Sequence, residues 1–323
     1  MTTDFNSRKL LSIQSHVVHG YVGNRAATFP LQIRGLDVDV LNTVQFSNHP
    51  AYGRFKGTRL TEDELKELYE GLVNIDCEYD GILTGYIPSD EGLKAIGEIC
   101  RDLIRKNPAT KWFLDPVLGD NGKIYVSEGN IEIYKGILKS GLITLVTPNQ
   151  LELEVLSESK VHDLASLKRA IDKFNDLYNI PNVVVTSVKF NDEDGYLYSA
   201  GSTRVSEKLY KSFYFKVPVI NASFSGSGDL FSALLASDYF KGSEEQKSFT
   251  EETPLSELPL VHSLNEVIST VEKVLQLTYD HEINRYKSAG QNVPANLKIN
   301  DLKVIQGKKY YLQYLEKYQA HSL

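Results

Sequence analysis

The sequence predicts an α/β protein of three layers, with a mostly parallel central sheet covered by helices on both faces. Three observations predict it. Short β-branched runs alternate with longer amphipathic segments, the rhythm of repeated strand–helix–strand crossovers. Several short runs are apolar throughout rather than alternating, as strands covered on both faces must be. Polar residues gather just after each run, where an open parallel sheet collects its ligands.

In chain order, residues 10–17, 38–44, 80–84, 112–115, 143–147 and 183–187 read as strands. Residues 24–34, 62–72, 90–106, 150–156 and 164–178 carry helical patterns between and after them. Ser89 before Asp90 and Glu91 is an N-cap, and Asn107-Pro108 stops the same helix. Thr147-Pro148-Asn149-Gln150 reads as a capping box, with Pro at the first helical position and Gln three residues after Thr. A further helix is expected from Asp229 to about Phe240, and another over 261–277. The polar, Glu-rich stretch at 241–260 reads as an exposed loop within the fold. No internal repeat appears, and nothing before Phe240 resembles a domain break, so one domain over 1–323 is expected.

Composition narrows the function classes. The 323 residues are 41% hydrophobic and carry a net charge of −7, enough for a core and unlike a binder of nucleic-acid backbones. Cys77 and Cys100 are the only cysteines, which gives no disulfide framework and no Cys-rich zinc site. The N-terminus lacks an apolar signal core, and no long uncharged apolar run occurs. The expectation is a soluble cytoplasmic protein, nuclear presence left open, with neither nucleic-acid nor membrane partners. Phosphate loops, dinucleotide fingerprints, zinc-protease and nucleophile-elbow motifs are all missing. His16 and His19 lie three apart without a third ligand nearby, which makes a poor metal site.

The segment Gly226-Ser227-Gly228-Asp229 runs into the apolar Leu230-Phe231-Ser232-Ala233-Leu234. The first N–H groups of a helix lack intrahelical partners and carry partial positive charge. Two glycines let an anion approach them, and Asp229 beside them could take a proton from a hydroxyl. A plain Gly-rich turn with Asp229 as a helix-stabilising charge would look the same. The other strand ends weigh against that: Ser15-His16, Gln45-Phe46-Ser47-Asn48-His49, Gly85-Tyr86, Asp115-Pro116-Val117-Leu118-Gly119-Asp120, Thr147-Pro148-Asn149 with Glu152, and Thr186-Ser187. One such cluster is a turn; six in series point to a phosphate-handling site.

These blocks carry a resemblance. Residues 12–17, 20–32, 44–49, Leu83-Thr84-Gly85-Tyr86, 115–120, 147–150 and 226–229 are similar in order and spacing to the pyridoxal kinases, over about 10–235. The Gly-x-Gly-Asp element alone indicates only the wider ribokinase-like superfamily. The resemblance implies an ATP-dependent kinase acting on the 5′-hydroxymethyl group of pyridoxal, pyridoxine or pyridoxamine. It makes Asp229 the general base and the Gly226, Ser227 and Gly228 backbone the anion hole. It places Ser15, Val44, Phe46, Pro50 and Tyr86 at the vitamer. It places Asp115, Tyr125, Asn149, Glu152, Thr186, Ser187, Ile220, Asn221, Ala222 and Ser227 at ATP. Asp120, Thr147 and Glu152 fall at its cation positions. It also implies Mg²⁺ with ATP, a monovalent cation such as K⁺, and a homodimer.

Three departures stand out. Ser227 replaces the family's usual Thr, keeping the hydroxyl. Pro50 stands where members commonly carry a substrate-holding Thr, which puts affinity or vitamer choice in question. The loop Gly119-Asp120-Asn121-Gly122-Lys123-Ile124-Tyr125 is compact, implying a short cover over ATP. The rival readings are a hydroxymethylpyrimidine or sugar kinase, a catalytically weak pyridoxal 5′-phosphate-binding protein, and a scaffold with a decayed site.

Overall fold

The structure is a computed structural model, described for residues 7–120, 122–191, 195–207, 209–242 and 249–323. The strands are β1 (Lys9–Val17), β2 (Asp37–Phe46), β3 (Gly57–Arg59), β4 (Gly81–Thr84), β5 (Lys111–Leu114), β6 (Gly119–Asp120), β7 (Lys123–Ile124), β8 (Ile143–Val146), β9 (Asn182–Val188), β10 (Tyr196–Ser206), β11 (Leu209–Pro218), β12 (Ser223–Phe224), β13 (Lys298–Ile299) and β14 (His321–Ser322). The helices are α1 (Asn24–Ile33), α2 (Glu62–Val73), α3 (Asp90–Lys106), α4 (Glu128–Leu138), α5 (Gln150–Ser157), α6 (Leu164–Tyr178), α7 (Ser227–Gly242), α8 (Pro259–Ser288) and α9 (Lys308–Tyr311).

The main sheet runs β14-β11-β10-β9-β8-β5-β4-β1-β2-β3. Its central six strands, β9 to β2 in that order, are mutually parallel, and they are the six runs the sequence marks. The antiparallel additions are β10, β11 and β14 at one edge and β3 at the other. Apolar strands are explained by what covers them. Leu11, Ile13, Ile82, Trp112, Leu114, Val183 and Val185 face one core with residues from α2 to α6. Their neighbours Leu10, Leu83, Phe113, Leu145 and Val184 face a second core with α1, α7, α8 and α9. Successive side chains of a strand point to opposite faces, so both must be apolar when both are covered. Three layers result, as expected.

Some local expectations change. Ser89 caps α3 by accepting from the Gly92 amide. The capping box of α5, however, is built by Asn149 and Glu152, not by Thr147 and Gln150; Thr147 lies before the cap and is free for the site. The stretch expected as an exposed loop at 241–260 is shorter. Lys241 belongs to α7, Pro259 opens α8, and Leu258 and Leu260 are buried in the second core; residues 243–248 lie outside the described ones. Among the described residues, no helix is long and apolar enough to cross a membrane.

Candidate active site

Because the six central strands are parallel, their carboxyl ends share one edge, and the marked polar residues follow those ends. Two glycine turns close the centre. Gly23 precedes α1 with φ 51°, and Gly226 precedes α7 with φ 84°, left-handed conformations that glycine adopts without penalty. A Cβ on Gly23 would lie 2.2 Å from the Ser15 carbonyl oxygen and 2.4 Å from its Oγ. A Cβ on Gly226 would lie 2.0 Å from the Tyr21 carbonyl oxygen. The two turns therefore touch backbone to backbone, and the Gly23 amide lies close enough to the Asp229 carboxylate to favour its ionised form. Ser15, Gly23 and Asp229 thus form one contiguous group, although 214 positions separate the first from the last in the numbering.

The cradle opens directly before Asp229. Leu230 makes the first helical hydrogen bond to the Gly226 carbonyl at 3.1 Å, and the earlier amides precede that ladder. The Ser227 hydroxyl donates to the Phe224 carbonyl at 3.4 Å. Gly228 is exposed and has open space where a side chain would be, so an anion has access. Protein atoms around the Asp229 carboxyl push its pKa up to about 6 by burial, and the Gly23 amide opposes the rise.

Asp115, at the end of β5, is buried and close enough to Asp229 for their charges to repel. Burial, then that repulsion, push it up to about 7, while the Ser232 hydroxyl at 2.9 Å opposes them. Thr147, at the end of β8, is buried with its Oγ1 3.0 Å from Ser232 Oγ. Glu152 is 2% exposed, and its carboxylate is taken up by protein amides: Asn149 at 2.8 Å, Leu118 at 2.9 Å and Gly119 at 3.5 Å. Burial and then Asp115 hold its pKa well above the usual range. Glu152 thereby fastens the 118–119 backbone, and Asn149 adds a bond from Nδ2 to the Gly119 carbonyl at 2.7 Å.

The compact cover is the β6–β7 hairpin, fastened at Gly119; its Asn121 lies outside the described residues. Asp120 and Tyr125 are exposed on it, and burial, then Asp120, raise the tyrosine hydroxyl's pKa. Thr186 donates its amide to the Pro148 carbonyl at 3.0 Å, tying β9 to the α5 approach, and Ser187 is exposed. Ile220, Asn221 and Ala222 form the bend between β11 and β12 that leads into the cradle, Asn221 exposed.

On the opposite side, Val44 and Phe46 are buried with Val17, and Val22 packs on them. Phe55 covers Phe46 at 4.7 Å between ring centroids, so both expected vitamer contacts face protein here. Tyr86 is partly exposed, and its carbonyl accepts from Thr43 at 2.9 Å. Pro50 is exposed and opens a 3-10 turn, Pro50–Tyr52. At that first position the missing N–H costs nothing, since it would have no helical partner.

The sequence reading missed what lies behind that turn. His49 Nε2 donates to the Asn300 carbonyl at 3.0 Å, Tyr52 donates to Asp301, and His19 lies 3.4 Å from the same carboxylate. Burial, then Asp301, push the Tyr52 hydroxyl up to about 12. Residues 297–301 also carry β13, which pairs with β12 just before the cradle. Nothing local to Asp301 announces this, because its partners lie about 250 positions away. Ser232 was missed too; its spacing of three from Asp229, one helical turn, is the signal that could have found it.

Among the described residues no three His, Cys, Asp or Glu side chains form a ready metal cage. The donor set still fits a cation carried by a nucleotide. Asp115 and Asp229 repel each other at a buried site, and Mg²⁺ characteristically uses one or two carboxylates together with phosphates and water.

A three-layer parallel sheet with a Gly-x-Gly-Asp cradle at its carboxyl edge defines a kinase of the ribokinase-like class. The phosphomethylpyrimidine kinase family matches residues 51–253. Pyridoxal kinase of Homo sapiens is 37% identical over 313 residues, spanning 93% of this chain and 94% of that one. BUD17 of Saccharomyces cerevisiae is 41% identical over 311 residues, spanning 94% and 93%. The solved structure of Leishmania donovani pyridoxal kinase with ADP and pyridoxamine aligns with TM-score 0.81 and 30% identity, over 98% of this chain and 100% of that one. The chain belongs to the pyridoxal kinases.

Proposed function

We propose that this chain transfers the γ-phosphoryl group of ATP to the 5′-hydroxymethyl group of pyridoxal, pyridoxine or pyridoxamine. The observation that carries this reading is the Ser15–Gly23–Asp229 group, which joins the vitamer-side turn to the acid beside the cradle. Ser15 orients the pyridine ring. Asp229 accepts the hydroxyl proton as the new O–P bond forms and the bond to the leaving ADP breaks. The amides of the 226–228 cradle hold the transferring group's charge, the main task in phosphoryl transfer. Val44, Phe46, Pro50 and Tyr86 belong to the vitamer side. Tyr125, Thr186, Ser187, Ile220, Asn221 and Ala222 edge the nucleotide.

Mg²⁺ bound with ATP would supply charge neutralisation at the phosphates. Asp115 and Thr147 are the buried oxygens suited to approach it or a monovalent cation such as K⁺, with Asp120 at the rim. Glu152 acts through the 118–119 backbone. A homodimer and a cytoplasmic location belong to the same reading.

The family's description as a phosphomethylpyrimidine kinase favours one alternative, a methylpyrimidine acceptor such as hydroxymethylpyrimidine. A single assay separates the two: ADP release measured with the three vitamers, hydroxymethylpyrimidine and ribose. Turnover with at least one vitamer, above the other two acceptors, is expected. Turnover with hydroxymethylpyrimidine or ribose but no vitamer overturns the proposal.

A further inference from the structure

Ser232 is 4% exposed on α7, one turn after Asp229. Its hydroxyl lies 2.9 Å from Asp115 Oδ2 and 3.0 Å from Thr147 Oγ1. Three elements meet there: the carboxyl ends of β5 and β8, which are neighbours in the sheet, and the first turns of the helix that carries the proposed base. Thr147 also bonds β5 through its amide, at 3.0 Å from the Leu114 carbonyl.

Counting protons fixes the direction of the chain. A serine hydroxyl has one proton and two lone pairs. In the structure Ser232 donates its one proton to Asp115 Oδ2. Thr147 must then donate to Ser232, leaving the Thr147 lone pairs available to another group. The alternative use of the Thr147 proton, toward the Leu114 carbonyl at 3.5 Å, is the longer contact. The same hydroxyl favours the ionised form of Asp115 against the repulsion of Asp229.

We propose that Ser232 is a positioning residue for phosphoryl transfer: its hydroxyl sets the Asp115 carboxylate and the Thr147 oxygen in register with Asp229, so that they receive the cation-bearing nucleotide together. The inference rests on the proposed kinase reading, and it assigns Ser232 to the nucleotide side of the site.

The test is a double-mutant cycle on Mg·ADP binding, followed by calorimetric titration. Ser232→Ala and Thr147→Val each remove the shared bond, and each is expected to weaken Mg·ADP binding roughly tenfold. The double variant is expected to lose less than the product of the two single losses, because the Ser232–Thr147 link the two variants share cannot be broken twice. Ser232→Thr, which keeps the hydroxyl, is expected to bind more tightly than Ser232→Ala. In steady-state assays Ser232→Ala is expected to raise the KM for Mg·ATP while changing the KM for pyridoxal less than about twofold.

Thermal melting establishes that each variant is folded before titration. Unchanged Mg·ADP affinity in folded Ser232→Ala overturns the inference. So do multiplicative losses in the double variant, or a pyridoxal KM that rises as much as that for Mg·ATP. The calorimetric cycle needs no turnover, so absence of vitamer phosphorylation by the wild type would strike the functional reading and leave this inference to be judged by the cycle.

Discussion

At the scale of single residues, the decisive feature is a carboxylate whose acidity is weakened by its surroundings. An ordinary aspartate is too weak a base to hold a proton near neutrality, whereas Asp229 is pushed up to about 6. It remains mostly ionised at neutral pH and is closer in basicity to the working range that favours proton transfer. The vitamer kcat/KM is therefore expected to fall as pH drops through about 6, approaching tenfold per unit below it. Asp229→Asn should abolish that limb and reduce kcat by about 10²–10⁴-fold, while ADP still binds by calorimetry. Wild-type-like kcat in this variant would exclude Asp229 as the base. The placement of the candidate residues was legible from sequence because the polar residues gather at strand ends. Glu152 was legible in place, but its backbone partners were not. Its position signals a ligand, yet its oxygens hold the Leu118, Gly119 and Asn149 amides, an arrangement that only the folded loop reveals.

At the scale of elements, β13 and the residues after it act as a strap across the open edge of the site. Ser223 and Ser225 donate to the Leu297 and Ile299 carbonyls at 2.8 and 3.1 Å, on the cradle side. His49 and Tyr52 bond Asn300 and Asp301 on the vitamer side. Asp301→Ala removes the acceptor for Tyr52 and the neighbour of His19, so the Pro50–Tyr52 turn loses its anchor. The KM for pyridoxal is expected to rise about 3–10-fold, the value of one ordinary hydrogen bond at an exposed site after solvent competition, with the KM for ATP changed much less. Tyr52→Phe should reproduce most of the effect; an unchanged pyridoxal KM in both variants would refute the anchoring role. The six parallel strands and most helices could be read from apolar runs and caps, since those signals are local. The β10–β11 hairpin could not. β10 ends at Ser206 and β11 begins at Leu209, and the sequence between them lacks the Asn-Gly or glycine pair that marks a tight hairpin. The segments β12, β13 and β14, which pair with each other or with β11 from far away in sequence, are two residues each, too short for any periodicity.

At the scale of the whole molecule, α1 and α7 are joined at both ends. They meet at the site through Gly23 and Asp229, and at their far ends through charge. Arg34, the C-cap residue of α1, lies 2.6 Å from Asp238 of α7 and 3.0 Å from Glu266 of α8, with all three side chains 5% exposed or less. Lys241 adds contacts to both acids from a more exposed position. Removing one partner of a buried ion pair leaves uncompensated charge, typically at a cost of about 3–5 kcal/mol. Arg34→Met should destabilise the protein by an amount of that order in urea unfolding, with Lys241 reducing the loss. The pH dependence gives the diagnostic sign. Burial and then Asp238 already raise the pKa of Glu266, and Arg34 is the first of the groups that lower it. A carboxyl whose folded pKa exceeds its unfolded one binds more protons when folded, so it loses stabilisation as pH rises between the two values. Without Arg34 the folded pKa of Glu266 moves further up and that window widens. The stability gap between wild type and Arg34→Met is therefore expected to be larger at pH 8 than at pH 5. A gap independent of pH would mean that Arg34 acts there by packing its apolar stem rather than by holding two buried acids.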